Sequence, residues 1–191
     1  MKLINKELTK RINAILFFCK NVKYPFKLKI FKLLYFLDFI HFKQTGRPVT
    51  DLEYYAYEMG PVPKKFHEEI KENKLPDELQ SCMEIFIEKD ELTGIDKFTR
   101  FSPKAKLNFK VFTKREQEIL KNLATIFKDA KAEEMSEISH LKNEPWDRTK
   151  NEKGLFQKID FLLAIDEEAL VNKKIAIERF NSLKEMKNLF S

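Results

Sequence analysis

The stretch KLKIFKLLYFLDFIHFKQTG, residues 27–46, contains the most apolar run of the chain, residues 30–42. Three polar residues interrupt that run: Lys32, Asp38 and His41. The run is too short to span a bilayer. Its helical spacing instead predicts a buried helix over residues 27–44, which would form the centre of the fold.

The two sides of this predicted helix differ in polarity. The apolar side, which we expect to be buried, consists of Ile30, Leu33, Leu34, Leu37 and Ile40. Lys29, Lys32 and Lys43 are predicted to lie on the opposite side. Gly46 favours the left-handed conformation that ends many helices, and Pro48 cannot continue a helix, so we expect the helix to stop there.

The N-terminal part of the chain is strongly basic. Residues 1–50 hold 11 Lys and Arg against 2 Asp and Glu, a net charge of +9, whereas residues 51–100 have a net charge of −6. A first helix over about residues 7–20 is predicted here from apolar spacing. Such a basic region could meet nucleic acid, an acidic protein or an anionic membrane, or its lysines could simply be solvated.

The segment EYYAYEMGPVPKKF, residues 53–66, follows the central helix. Residues 53–58 alternate and are rich in tyrosine, which predicts a short strand. Gly60 permits unusual backbone angles, while Pro61 and Pro63 restrict theirs, so we expect a stiff corner leading into a helix over residues 63–73. The corner is either a packed turn of the fold or a preordered contact surface that loses little entropy on binding.

The remainder of the chain adds a hairpin and several helices. Alternation over residues 83–88 predicts a half-buried strand, with a turn at residues 90–94 and a return strand at 98–101. Residues 107–111 are predicted as a further extended piece. The later helices are predicted behind a capping box at Thr113 and Glu116, over residues 132–141, and over residues 166–189.

These elements predict an α+β fold that is predominantly α-helical, with helices packed around a small antiparallel β-sheet or hairpin. A length of 191 residues and the lack of a Gly/Ser-rich linker favour a single domain. No signal peptide is recognised, and Cys19 and Cys82 lack metal-ligand spacing, so we expect a cytoplasmic protein with reduced thiols and no membrane insertion.

Motifs for catalysis and cofactor binding are missing from the sequence. There is no phosphate-binding glycine loop and no nucleophile elbow, and the three histidines lack metal spacing. We therefore expect no enzyme, no metal and no cofactor. Asp38 and His41, with Tyr35 one turn earlier, could form a catalytic pair, but a structural role for these polar groups is favoured because no nucleophile accompanies them.

Two segments carry short motifs in a specific order. Residues 32–66 contain, in sequence, Lys32-Leu33-Leu34-Tyr35-Phe36-Leu37-Asp38, Gly46-Arg47-Pro48-Val49, Tyr55-Ala56-Tyr57 and Gly60-Pro61-Val62-Pro63. Residues 136–146 contain Ser136, Ser139, His140, Pro145 and Trp146. In order and spacing these resemble the Panacea domain of the SocA-like antitoxin family over about residues 10–165, and we assign residues 1–165 to that domain. Residues 166–191 match nothing in that pattern and could be a core helix or a partner-specific arm.

The resemblance implies a non-enzymatic antitoxin of a bacterial or prophage toxin–antitoxin pair. Such a protein neutralises a toxin from an adjacent gene by direct protein contact, or delivers the toxin to a protease. Some family members carry an added DNA-binding domain, which is not expected here. A nucleic-acid-binding regulator is the alternative that the basic N-terminal region supports, although the apolar second helix leaves few side chains to read bases.

The candidate site residues fall into two groups. Predicted partner-binding residues are Tyr54, Tyr55, Tyr57, Met59, Gly60, Pro61, Val62 and Trp146. Predicted structural polar residues are Tyr35, Asp38, His41 and His140. A lone tryptophan after a proline is either a core residue or a binding hot spot, and the sequence leaves both interpretations open for Trp146.

Overall fold

The computed structural model describes residues 6–89 and 96–189. Within these residues the α-helices are α1 Lys6–Asn21, α2 Lys27–Thr45, α3 Lys64–Lys71, α4 Asp77–Cys82, α5 Lys114–Ile126, α6 Ala132–Ser139, α7 Pro145–Lys153 and α8 Lys173–Leu189. The strands are β1 Tyr54–Tyr57, β2 Gly60–Pro63, β3 Met83–Lys89 and β4 Asp96–Pro103, and 3₁₀ helices form at Phe109–Val111 and Phe161–Ala164. The predicted α+β class, predominantly helical, is confirmed.

Helix α2 lies at the centre of the fold, because nearly every side of it is apolar. It packs against α1, α5, α6, β2 and β4. The helix ends as predicted at Gly46, which has a left-handed φ of 72° and donates its N–H to Phe42 O at 2.7 Å. A Cβ atom at position 46 would lie 2.9 Å from the Cα of Ala176, so the glycine also allows α8 to approach closely.

The prediction that Lys29 and Lys32 lie on a side of α2 away from the core was wrong. Both lysines are buried, because the surrounding helices and β2 enclose the helix on that side as well. Their amines avoid an unpaired buried charge by donating to main-chain carbonyl oxygens. Lys43 is half-buried, and its amine pairs with Asp166 and Glu168.

The strands form two separate antiparallel hairpins rather than one sheet. In the first hairpin, β1 pairs with β2 from Tyr54↔Pro63 to Tyr57↔Gly60. In the second, β3 pairs with β4 over Met83↔Pro103 to Lys89↔Asp96. The predicted turn at residues 90–94 lies outside the described residues.

The bounds or the type of several predicted elements need correction; helix α6, for example, ends at Ser139 instead of residue 141. Pro63 ends strand β2, so α3 begins one residue later and ends before residue 73. Residues 109–111 form a 3₁₀ helix instead of an extended piece. The last helix begins at Lys173 rather than at residue 166, because the preceding residues turn along α2: Leu170 N donates to Lys43 O at 3.1 Å.

The predicted capping box at the start of α5 is confirmed. Thr113 Oγ1 accepts from Glu116 N at 3.3 Å, and Glu116 Oε2 accepts from Thr113 N at 2.8 Å, which is the predicted capping box of α5.

Along the described chain, every helix is too short or too polar to cross a membrane.

Candidate functional site

A buried carboxylate ties α2 to the chain that leads into the first hairpin. Asp38 Oδ1 accepts hydrogen bonds from the main-chain N–H groups of Val49 and Thr50 at 2.7 and 2.8 Å. Its Oδ2 accepts from the hydroxyls of Thr50 and Tyr54 at 2.5 and 2.8 Å. We call these four residues the Asp38 cluster; they fix where β1 begins relative to α2.

The electrostatics of this cluster support a structural role. Burial raises the pKa of Asp38 to about 6, and the four hydrogen bonds oppose that rise by stabilising the charged form. Burial, followed by the nearby Asp38 charge, raises the pKa of Tyr54 well above its usual value. The four hydrogen bonds hold a carboxylate in place inside the core.

Asp38 and His41 do not act as a pair in this structure. The Nδ1 atom of His41 lies 2.7 Å from Arg47 O, and its Nε2 atom lies 3.9 Å from Glu116 Oε1. The hydrogen bonds of Asp38 go to other groups. Tyr35 packs its ring against Tyr54 at 5.5 Å between centroids, so it supports the cluster by packing.

A second cluster fixes the turn of the first hairpin from inside. Lys32 Nζ donates to Met59 O at 2.6 Å, and Ser136 Oγ donates to the same oxygen at 3.1 Å. Ser139 Oγ in turn donates to Ser136 O at 2.9 Å. Gly60 follows with a φ of 112°, a conformation that side chains other than glycine rarely adopt.

Gly60 is also closely surrounded. A Cβ atom there would lie 3.1 Å from Ser139 Oγ, 3.2 Å from Lys32 Nζ and 3.3 Å from His140 Nε2. The three polar atoms therefore converge on the α-carbon of Gly60. We call Lys32, Gly60, Ser136, Ser139 and His140 the Gly60 cluster.

Trp146 anchors the other end of the turn. Its Nε1 donates to Tyr57 O at 3.0 Å, and its ring stacks on His140 with centroids 3.6 Å apart and planes inclined by 14°. The His140 Nε2 atom is buried and has no hydrogen-bond partner among the described residues. Residues 136–146 thus reach the first hairpin through the hydrogen bonds of Ser136 and Trp146, while the stacking of His140 on Trp146 lies within the segment itself.

Burial shifts both titratable groups of the Gly60 cluster towards their neutral forms. It lowers the pKa of Lys32 to about 8, with the charge of Glu133 acting in the opposite direction. Burial also lowers the pKa of His140, and the positive charges of Lys32 and Lys150 lower it further. At neutral pH the cluster therefore holds a lysine cation beside a neutral histidine.

The outer side of the first hairpin is apolar and partly exposed. Tyr55 and Tyr57 are half-buried, Met59 is 52% exposed and Phe156 is 59% exposed. The ring of Phe156 packs edge-on against Tyr57 at 4.9 Å between centroids. We call these four residues the hairpin face.

Phe156 reaches this surface because residues 156–159 run beside β1. Phe156 N donates to Ala56 O at 2.7 Å, and Ile159 N donates to Tyr54 O at 2.8 Å. Phe156 has a left-handed φ of 63°, which is uncommon for an aromatic residue. Beta strand β1 is therefore hydrogen-bonded on both edges, which fixes its backbone.

The predicted partner-binding residues divide by exposure. Tyr55, Tyr57 and Met59 reach the surface. Five others are buried, namely Tyr54, Gly60, Pro61, Val62 and Trp146. Because these five are buried, any part that they take in partner binding is to hold the hairpin from inside, and their assignment as partner-binding residues remains a prediction.

Sequence reasoning missed two contributors to this region. Lys32 was expected on the side of α2 away from the core, and the pattern of the helix gave no signal of its contact with Met59. Phe156 lies in a segment without a motif, and its left-handed backbone was not indicated by a glycine or asparagine. Ser136 and Ser139 were noted in a motif, but their contacts with the hairpin turn required the fold.

The described residues contain no group of three or more His, Cys, Asp or Glu side chains placed to hold a metal ion. Cys19 and Cys82 are both thiols. Burial raises the pKa of Cys19 to about 12, so this thiol is a poor nucleophile at neutral pH.

The match to known families covers both clusters. The model of the family described as antitoxin SocA-like, Panacea domain, matches residues 30–147, more than half of the chain. The protein is thus of the antitoxin class. It belongs to the SocA-like antitoxin family and carries its Panacea domain. Comparisons with curated proteins and with solved structures find no match.

Proposed function

We propose that this protein is the antitoxin of a bacterial toxin–antitoxin pair and neutralises its toxin by binding it directly, without catalysis. Family membership supplies the general role. The observation that supports direct binding is the hairpin face, where exposed apolar side chains stand on a backbone fixed from inside by the Gly60 cluster and Trp146. The partner is expected to be the product of an adjacent gene.

The hairpin face suits protein recognition for two physical reasons. Its backbone is already ordered by Lys32, Ser136 and Trp146, so binding loses little conformational entropy. Its side chains are aromatic residues and a methionine: tyrosine is enriched among binding hot spots, and methionine adapts its shape to a partner.

The alternative of nucleic-acid binding is weakened by where the N-terminal cations lie. Lys10 pairs with Glu116 at 2.6 Å, and Arg11 lies 3.4 Å from Asp51. Lys29, like Lys32, is buried against carbonyl oxygens. Four of the eleven cationic side chains counted along residues 1–50 are therefore buried, which leaves fewer of them available to phosphate groups.

Growth rescue in cells that express the adjacent gene tests the proposal. We expect that gene product to arrest growth alone and the antitoxin to restore growth. The double substitution Met59→Ser with Phe156→Ser should abolish both rescue and co-purification. A matched control, Ile126→Ser with Met186→Ser, alters two other exposed apolar residues and should retain both.

Two results would contradict different parts of the proposal. A neighbouring gene product that is harmless alone, or equally harmful with the antitoxin present, contradicts the antitoxin role. Full rescue by the Met59 and Phe156 double variant contradicts the hairpin face as the contact surface. A shortened toxin half-life in the presence of the antitoxin would indicate delivery to a protease instead of direct inhibition.

A further inference from the structure

The turn of the first hairpin presents a thioether at the surface. Met59 is 52% exposed there, and Met186, on α8, is 47% exposed, whereas Met83 and Met135 are buried at 3% and 0%. An oxidant dissolved in water reaches a sulfur atom only where the side chain is exposed, because protein interiors are closely packed. Among the methionines of residues 6–89 and 96–189, such an oxidant therefore reaches Met59 and Met186.

Hydrogen bonds to the main chain keep the Met59 side chain at this position. Lys32 Nζ donates to Met59 O at 2.6 Å, and Ser136 Oγ donates to the same oxygen at 3.1 Å. Gly60 follows with a φ of 112°. Withdrawing the Met59 side chain into the interior would move the turn and break these hydrogen bonds, which is unfavourable. The thioether is therefore a fixed part of the hairpin face.

Oxidation of the Met59 thioether by a peroxide is a balanced two-electron reaction. The sulfur atom takes one oxygen atom: the O–O bond of the peroxide breaks, an S–O bond forms, and water leaves when the oxidant is hydrogen peroxide. The sulfur is oxidised and the peroxide is reduced. The product, methionine sulfoxide, is a polar group, and methionine sulfoxide reductases convert it back to methionine.

The sulfoxide has different consequences for the free protein and for a complex. In the free protein the side chain of Met59 is half exposed, so water hydrates the new oxygen atom and the fold loses little. A partner seated on the hairpin face would cover Met59 together with Tyr57 and Phe156, whose rings pack against each other. An oxygen atom covered by apolar groups without a donor is unfavourable. Oxidation therefore weakens binding without destabilising the fold.

We propose that Met59 is an oxidation-sensitive switch: its conversion to the sulfoxide weakens the capture of the toxin. This inference rests on the proposed function, because it requires that the toxin binds the hairpin face. The reaction takes place on the free antitoxin, since a bound toxin covers the sulfur atom. Cys19 does not compete for the oxidant at neutral pH, because burial raises its pKa to about 12 and keeps it in the thiol form.

The test compares toxin binding before and after treatment with hydrogen peroxide. It uses the full-length protein and the product of the adjacent gene, in a Cys82→Ser background that removes the half-buried thiol. Peptide mass spectrometry should find one added oxygen atom at Met59 and at Met186, and none at Met83 or Met135. Isothermal titration should show binding weakened by about tenfold or more after oxidation. Treatment with methionine sulfoxide reductases A and B should restore the affinity.

Two variants and one protection measurement assign the effect to Met59. In Met59→Leu, the affinities before and after peroxide should be equal, because leucine has no sulfur atom to oxidise. In the matched control, Met186→Leu, the loss of about tenfold should persist, since this exposed methionine lies on α8. Toxin bound before the peroxide is added should slow the oxidation of Met59 several-fold and leave the rate at Met186 unchanged.

The outcomes separate this inference from the proposed function. A reduced protein that does not bind the toxin would contradict the proposed function, and the switch with it. Tight binding that survives complete oxidation of Met59 would overturn the switch alone. A loss of affinity that persists in Met59→Leu would assign the effect to another residue, and a loss accompanied by a lower melting temperature would mean that oxidation unfolds the protein. Either of these results would also overturn the switch.

Discussion

The two hairpins have the same antiparallel pairing but opposite surroundings. The first, β1–β2, packs its inner side against the interior, and its turn is held by Lys32, Ser136 and Trp146. The second, β3–β4, leaves Phe86 44% exposed, with its ring 5.5 Å from the guanidinium carbon of Arg100. Charged side chains of this hairpin form ion pairs at the surface, as Glu84 does with Lys104.

The difference shows how a backbone is fixed when it is buried. Buried carbonyl groups need donors, and in the first hairpin these come from side chains far away in the sequence, such as Trp146 for Tyr57. In the second hairpin, by contrast, β3 is exposed over most of its length. We therefore expect single substitutions to be costly beneath the first hairpin and mild at the second.

The largest effect should follow Asp38→Ala. This substitution removes the carboxylate that accepts four hydrogen bonds. The buried hydroxyls of Thr50 and Tyr54 then lose their acceptor. We expect a loss of about 4 kcal/mol in the free energy of unfolding, measured by urea denaturation. Glu84→Ala, in the second hairpin, removes an exposed ion pair with Lys104 and should cost less than about 0.5 kcal/mol.

Equal losses for Asp38→Ala and Glu84→Ala would contradict the distinction between the hairpins. A small loss for both would mean that water enters the core and replaces the missing carboxylate. A far-ultraviolet circular dichroism spectrum of each variant checks that the comparison is between folded proteins.

Gly60→Val should have the next largest effect. Valine would have to adopt a φ near 112°, and its Cβ atom would press on Ser139 Oγ and Lys32 Nζ. We expect a loss of about 3 kcal/mol in the free energy of unfolding. Ser102→Val, on β4, is the control and should change stability by less than about 0.5 kcal/mol. A wild-type melting temperature for Gly60→Val would contradict the close packing at this turn.

Local signals explain which parts of the fold could be predicted from the sequence. The end of α2 at Gly46 and the capping box at Thr113 depend on residues within one turn of each other, and both predictions were correct. The 3₁₀ helix at residues 109–111 is short, and alternation of apolar residues does not distinguish it from an extended piece.

The features that could not be predicted from the sequence depend on contacts between segments that are distant along the chain. The burial of Lys32 depends on the carbonyl of Met59 and on α6, neither of which the spacing of α2 reveals. Hydrophobic patterning assigns lysine to solvent, whereas the fold gives this lysine an internal acceptor. The motif at residues 136–146 indicated that Trp146 matters, but its hydrogen bond to Tyr57 O required the structure.

The free energy of unfolding should change with pH by about 2 kcal/mol because of Lys32. Its pKa is about 8 in the folded protein and returns to its usual value, near 10.4, on unfolding. The unfolded state therefore binds more protons between these values, and the free energy of unfolding rises with pH through this range. Over pH 7.5 to 9.5 we expect a gain of about 2 kcal/mol from this group.

The matched variant for this measurement is Lys32→Met, which keeps the length of the side chain and removes the charge. The difference in unfolding free energy between wild type and variant isolates Lys32, since Cys19 and Lys29 titrate in both proteins. A difference that stays constant from pH 7.5 to 9.5 would show that Lys32 is not desolvated beneath the first hairpin.

The smallest stability effects should come from exposed side chains of the two hairpins, Met59 in the turn of the first and Phe86 within β3 of the second. Met59→Ser and Phe86→Ser each remove a side chain that is about half exposed, and each should cost less than about 1 kcal/mol. Their effects on toxin binding should differ, because Met59 stands on a turn fixed by Lys32 and Ser136, whereas Phe86 does not. Isothermal titration with the toxin should show weakened binding for Met59→Ser alone. Weakened binding for Phe86→Ser alone would assign recognition to the second hairpin, and the rigidity of the first would then serve only the fold.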